Sequence, residues 1–171
     1  MKIHRLFYLI SFALLILIVA CNQTTTANLE ANKKIVLQFG DAVNNNNLDA
    51  LDEIVATNFV RHSQATPEVK VSSLEEFKQF ARASAESIPD MTGNIEMMIA
   101  EGDFVAIYAT FTGTQTGPMG PFPAYNKKME SKTMAIFRLE NSKIAELWIE
   151  WDNLAMLSQL GHFPPPGPSE E

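Results

Sequence analysis

Lys143-Ile144-Ala145-Glu146-Leu147-Trp148-Ile149-Glu150-Trp151-Asp152 is the stretch that decides the fold. Its density of Ile, Leu and Trp suits a half-buried strand. If the strand is regular, Ile144, Glu146, Trp148, Glu150 and Asp152 share one face. Asn141-Ser142 reads as a tight hairpin turn joining it to an earlier strand over 131–139. Upstream, 94–100 and 104–114 are two more extended runs, separated by the turn Glu101-Gly102-Asp103. Gly117, Gly120, Pro118, Pro121 and Pro123 make a loop between the second and third strands. Downstream, Leu154, Leu157 and Leu160 give a short closing helix that Gly161 ends.

The residues before this meander read as helices. Leu29, Val36, Phe39 and Val43 recur at helical steps over 29–43. The asparagines 44–47 end that helix, and Asn47 caps a second over 48–56. A short extended segment, Phe59-Val60-Arg61-His62, follows. Ser73-Leu74-Glu75-Glu76 has the form of a capping box, and the helix it starts runs to Pro89. Helices followed by an antiparallel meander predict an α+β fold. Helices on one face of a curved sheet leave a concave interior, where a small molecule fits.

The N-terminus is of a different kind. Lys2 and Arg5 precede an apolar run from Leu6 to Val19, and Ile18-Val19-Ala20 leads into Cys21. This is the layout of a secretory signal. The run is shorter than the about twenty residues a spanning helix needs. Cys21 is the single cysteine, so no intramolecular disulfide forms. Its setting resembles the lipobox of bacterial lipoproteins, which implies lipid on the sulfur, cleavage before Cys21 and attachment to a membrane of the cell envelope. The reading divides the chain into a leader 1–20, a tether 21–28, a domain 29–161 and an exposed Pro-rich tail 162–171.

The net charge is −7, and the leader holds Lys2 and Arg5 but no acidic residue, so the remainder is more negative still. That disfavours a nucleic-acid partner, whose binding rests on phosphate neutralisation. His62 and His162, at their spacing, make no zinc pattern. No P-loop, dinucleotide fingerprint or nucleophile elbow is present.

Several segments in order carry a resemblance: Phe59-Val60-Arg61-His62, Ile88-Pro89-Asp90, Ala100-Glu101-Gly102-Asp103, Gly113-Thr114-Gln115-Thr116-Gly117, Lys143 to Trp148 with Trp151-Asp152, and Gln159-Leu160-Gly161. Together they resemble SnoaL-like proteins, the polyketide-cyclase or ester-cyclase branch of the nuclear transport factor 2-like superfamily. The resemblance implies a cone-shaped α+β fold, often dimeric, with the active site inside the cone. It implies ring closure by aldol chemistry on a small apolar or carbonyl-bearing compound, without metal or cofactor. It makes Asp152 the base and puts His62 in the same pocket. Gln115 stands where the family usually has histidine, Ile88 replaces an aromatic, and Pro123-Ala124-Tyr125-Asn126-Lys127 departs from Pro-Thr-Gly-Lys.

Read without the family, each candidate has two roles. Asp152 is a buried general base or the cap of the closing helix. His62 is a general acid or a histidine bonded to backbone. Gln115 orients a substrate through its amide. Trp148, Phe59, Tyr125 and Met119 are the candidate pocket walls, with Trp148 otherwise plain core. Glu146 and Glu150 line the cone if their face turns inward, and are solvated charges if it does not. Two functions stay open: a cofactor-free acid–base enzyme, and a binding module for a small apolar molecule or a partner on the cell envelope.

Overall fold

The computed structural model describes residues 27–163. The leader, Cys21, most of the tether and the tail beyond Phe163 lie outside them. Helix α1 spans 27–44 and so takes in the end of the expected tether. A 3-10 turn at Leu48–Ala50 and a one-turn helix α2 at Leu51–Ile54 follow. Then come β1 (Val55–His62), α3 (Leu74–Ser87), β2 (Thr92–Glu101), β3 (Phe104–Gln115), β4 (Lys127–Glu140), β5 (Lys143–Trp151) and α4 (Asn153–Leu160). The sheet order is β1-β5-β4-β3-β2. β1 runs parallel to β5, and every other pair is antiparallel. This is the α+β architecture expected, with helices on the inner face of a five-stranded sheet.

The inner face holds the core. Val36 and Phe39 of α1, Phe59 of β1 and Phe77 of α3 are buried with Phe137 and Ile144 of the sheet. Phe77 packs 5.4 Å from Phe39 and 5.3 Å from Phe59, centroid to centroid, and Phe39 meets Phe137 edge-on at 5.4 Å. A second cluster joins Ile88, Met129, Met156, Leu157 and Leu160 beneath α4.

Four local departures from the sequence reading have physical causes. The expected second helix is only a turn long, because Asn47 makes no side-chain cap. The β-branched and aromatic residues from Val55 onward enter β1 instead. β4 starts at Lys127, earlier than expected, because β3 offers it partners as far as Gln115↔Lys127. The Ser73 hydroxyl accepts from the Glu76 N–H at 3.2 Å, but the Glu76 carboxylate reaches back to Ser72, not Ser73, accepting from its N–H at 2.7 Å and its hydroxyl at 2.9 Å.

The fourth departure decides the site. Leu139 pairs with Ile144 but Arg138 pairs with Glu146, so β5 carries one extra residue. That residue, Ala145, is buried beside Ile144. Such a bulge shifts the alternation by one. Ile144 therefore faces the core with Leu147, Ile149 and Trp151, while Glu146, Trp148 and Glu150 turn to the outer face. The single face expected from Ile144 to Asp152 does not exist.

Candidate functional site

The cone interior is a cavity of about 430 Å³. α3, the loop after β3, the inner faces of β4 and β5, and α4 wall it. Phe80, Ile88, Phe111, Met119, Phe122 and Met156 make it predominantly apolar. Arg61, Ser131, Thr133 and Trp151 supply polar groups, and Glu68 lies at the exposed rim.

Arg61 is the strongest of these. It follows Phe59 by two residues, so both point inward while His62 points out. Its N–H bonds to the Val71 carbonyl at 3.0 Å. The guanidinium carbon lies 4.7 Å from the Phe80 ring centroid and 5.8 Å from that of Trp151. Nη2 donates to Thr66 Oγ1 at 3.1 Å. The residue is 6% exposed, and burial pulls its pKa below the ordinary arginine value. The loop after β1 is fixed above it by Glu150, whose carboxylate accepts the Gln64 and Ala65 N–H groups at 2.7 and 3.0 Å. Asn153 Nδ2 adds a bond to the Ala65 carbonyl at 3.0 Å. Glu150 is thus an exposed loop clamp, not a free surface charge.

Of the candidate catalytic residues and candidate pocket walls, Met119 lines the cavity. Asp152 caps α4: its Oδ1 accepts the Ala155 N–H at 2.9 Å, and the residue is exposed. His62 lies on the outer sheet face, stacked on Trp148 at 4.8 Å and bonded to Glu146 at 3.0 Å. Trp148 is on that outer face too. His62 and Arg138 together hold the Glu146 carboxyl below the usual carboxylate range. Phe59 is fully buried core rather than pocket wall. Asp152, His62, Trp148 and Phe59 therefore do not converge on the cavity.

Gln115 and Tyr125 form a different unit. Gln115 is fully buried, and its Nε2 donates to the Phe122 and Pro123 carbonyls at 3.2 and 3.4 Å. Those acceptors fix the amide, so Oε1 faces His162 Nε2 at 2.9 Å and the imidazole must donate there. Tyr125 and Phe122 pack on the same imidazole at 4.9 and 4.8 Å. Gln115 is a lock between the loop and the segment that follows α4. His162 is part of the domain, not of an exposed tail, because His162 N also bonds to the Leu157 carbonyl beyond the left-handed Gly161.

Arg61 and Trp151 were not picked out from sequence, although both stand in the quoted segments. The signal for Arg61 was its step of two from Phe59. The signal for Trp151 was hidden by the bulge at Ala145. Among the described residues, no group of three or more His, Cys, Asp or Glu could hold a metal ion.

Asp152→Ala should cost about 0.5–2 kcal/mol of stability, as loss of a helix cap does. Urea unfolding will read this, and binding in the cavity should not change. Lost binding at full stability would instead put the carboxylate in the site.

Solved structures share this fold. IdmH from Streptomyces antibioticus is 25% identical, with a TM-score of 0.68 over 76% of this chain and 98% of its own. TsrD from Streptomyces laurentii is 25% identical, with a TM-score of 0.70 over 78% and 97%. A SnoaL-like polyketide cyclase from Agrobacterium tumefaciens is 21% identical, with a TM-score of 0.63 over 76% and 98%. No curated protein matches the chain. The model of the SnoaL-like polyketide cyclases matches residues 33–160, most of the chain and nearly all of the described domain. With that match laid over a helix-backed curved sheet and an apolar cone, this chain belongs to the SnoaL-like polyketide cyclase family.

Proposed function

We propose that this chain is an envelope lipoprotein whose domain holds a small apolar, oxygen-bearing molecule inside the cone. The carrying observation is the cavity of about 430 Å³, apolar over most of its wall, with a buried arginine among its few polar groups. That size falls in the usual range for small-molecule sites. Ring closure through Asp152 and His62 is what the family resemblance implies. Binding is preferred because Asp152 is engaged by a helix N-terminus and His62 by Glu146 and Trp148 on the opposite face of the sheet. The leader and Cys21 supply the anchor in this reading.

The test is N-phenyl-1-naphthylamine, a neutral dye that fluoresces on leaving water. One saturable site is expected on the full chain, abolished by Ala83→Trp, which fills the cavity from α3. Fluorescence that does not saturate, or that survives Ala83→Trp in a folded protein, overturns the reading.

The outer sheet face supports a second copy as partner. Ile99, Ala106, Ile136 and Trp148 stand in register across four strands, and Met97, Tyr108 and Met134 across three. Met97, Ile99, Phe104, Met134 and Ile136 are exposed there. A contiguous patch of this kind marks an interaction surface. Ion pairs of both signs, Lys132–Glu96 at 2.6 Å and Arg138–Glu146 at 2.7 Å, flank it, which suits pairing with itself about a two-fold axis. Sedimentation should report a dimer that Met134→Glu weakens by at least about tenfold, roughly 1.4 kcal/mol. A monomer at micromolar concentration would refute it.

A further inference from the structure

Two of the three unpartnered buried side-chain polar atoms of the described domain belong to residues of the cavity wall. The buried side-chain polar atoms without a partner among the described residues are Arg61 Nη1, Ser63 Oγ and Trp151 Nε1. Two of these residues, Arg61 and Trp151, line the cavity. Their groups are neighbours, with the guanidinium carbon 5.8 Å from the indole centroid. Both atoms can only donate.

Leaving such donors unpaired in an apolar wall is costly, and more so when one is charged. Phe80 and Trp151 flank the guanidinium and Thr66 takes one of its nitrogens. The charges of Glu150 and Glu68 act on it, but among the described residues no carboxylate comes within ion-pair distance. Glu150 is spent on the Gln64 and Ala65 N–H groups, and Glu68 stays at the exposed rim. An arginine fork beside an indole N–H suits a planar oxyanion, which accepts from both. The remaining wall is hydrocarbon and aromatic, so the rest of the guest is apolar.

We propose that the cavity selects apolar carboxylates, with the carboxylate accepting hydrogen bonds from Arg61 Nη1 and Trp151 Nε1. This rests on the proposal that the cone is a binding site, and it names the ligand class. It assigns Arg61 the recognition role and makes Trp151 its co-donor. Neutral analogues of the same shape bind through apolar burial alone and lose the selectivity.

The test is displacement of N-phenyl-1-naphthylamine from the full chain by 2-naphthoate and by 2-naphthalenemethanol. The ring system is the same, and a neutral hydroxymethyl group replaces the planar, charged carboxylate. The expected result is at least tenfold tighter binding of 2-naphthoate. Arg61→Met should remove that preference while the alcohol still binds. Trp151→Phe, which keeps the ring and deletes the donor, should reduce the preference severalfold and serves if Arg61→Met does not fold. Equal binding of acid and alcohol by the wild type overturns the carboxylate inference and leaves the cavity reading standing. A preference that survives both substitutions overturns the assignment to Arg61 and Trp151. Failure of the dye itself to bind overturns both.

Discussion

Phe59→Ala is expected to cost about 3–5 kcal/mol, the range for deleting a buried phenylalanine. Phe59 is fully buried. It meets Phe77 edge-on at 5.3 Å, and Phe77 in turn meets Phe39, so one ring ties β1 to α3 and through it to α1. β1 is an edge strand, held to the sheet by β5 on one side. The rings packed on it supply much of what fixes that edge. Removing the side chain leaves a void whose walls are other side chains of the same cluster, and their packing resists collapse. Because Phe59 does not line the cavity, the folded fraction should bind the dye as wild type does. Urea unfolding and dye titration on one sample separate the two effects. A cost below about 1 kcal/mol would contradict the tight packing of this ring, and a parallel loss of dye binding would mean that the core and cavity walls are continuous there. A Phe59→Leu variant, which keeps most of the volume, should restore the stability in large part.

The framework was legible where local chemistry and packing agree. Lys143–Trp151 is a strand because its own residues favour one and because β4 pairs along it. Asn141 and Ser142 both have positive φ, which is what a two-residue hairpin with matching twist requires. Ser73 and Gly161 marked helix ends through bonds that are made. The family segments likewise gave the α+β cone.

The site was read less well, and most of the loss traces to Ala145. Period-two reasoning assumes that no residue is inserted, and a one-residue slip exchanges the two faces. Unbroken alternation groups Glu146, Trp148 and Glu150 with Ile144, whereas the bulge groups Ile144 with Leu147, Ile149 and Trp151. No local composition announces this bulge, since Ala145 is a small residue between others that fit a strand. Gln115 failed for another reason. A lone polar residue gives no sign of whether it faces a ligand or a neighbouring carbonyl, and here its partners are Phe122, Pro123 and His162. Arg61 was legible in principle, because β1 alternates cleanly across Phe59-Val60-Arg61-His62. The neighbouring His62 carries the residue type that suggests chemistry, whereas the inward Arg61 suggests recognition.

Gly117→Ala is expected to damage both stability and binding. The loop after β3 docks on the end of α3: the Thr116 and Gly117 N–H groups both donate to the Ser87 carbonyl at 3.0 Å, and Ser87 Oγ lies 2.7 Å from the Pro118 carbonyl as its donor. A methyl group on Gly117 would press on the Glu86 carbonyl oxygen and lie 3.1 Å from Ser87 Cα. These are backbone atoms and cannot swing aside, so the loop must lift. Overpacking of this kind costs about 1–3 kcal/mol, and more where backbone is involved. The lifted loop carries Met119, Gly120, Pro121 and Phe122, which wall the cavity. Dye affinity should therefore fall at least about tenfold, roughly 1.4 kcal/mol, in the protein that remains folded. Gly40→Ala is the matched control. Its added methyl meets only Ile95 Cδ1 at an ordinary 3.9 Å, inside a helix where alanine is preferred. It should be neutral or stabilise by up to about 1 kcal/mol, with unchanged dye binding. If Gly117→Ala destabilised the protein but left the affinity intact, the loop would be an anchor for α3 and not a working wall of the cavity. If it did neither, the docking of the loop on Ser87 would be wrong. The loss of both together, against an innocent Gly40→Ala, is the outcome that ties the connection between β3 and β4 to the ligand.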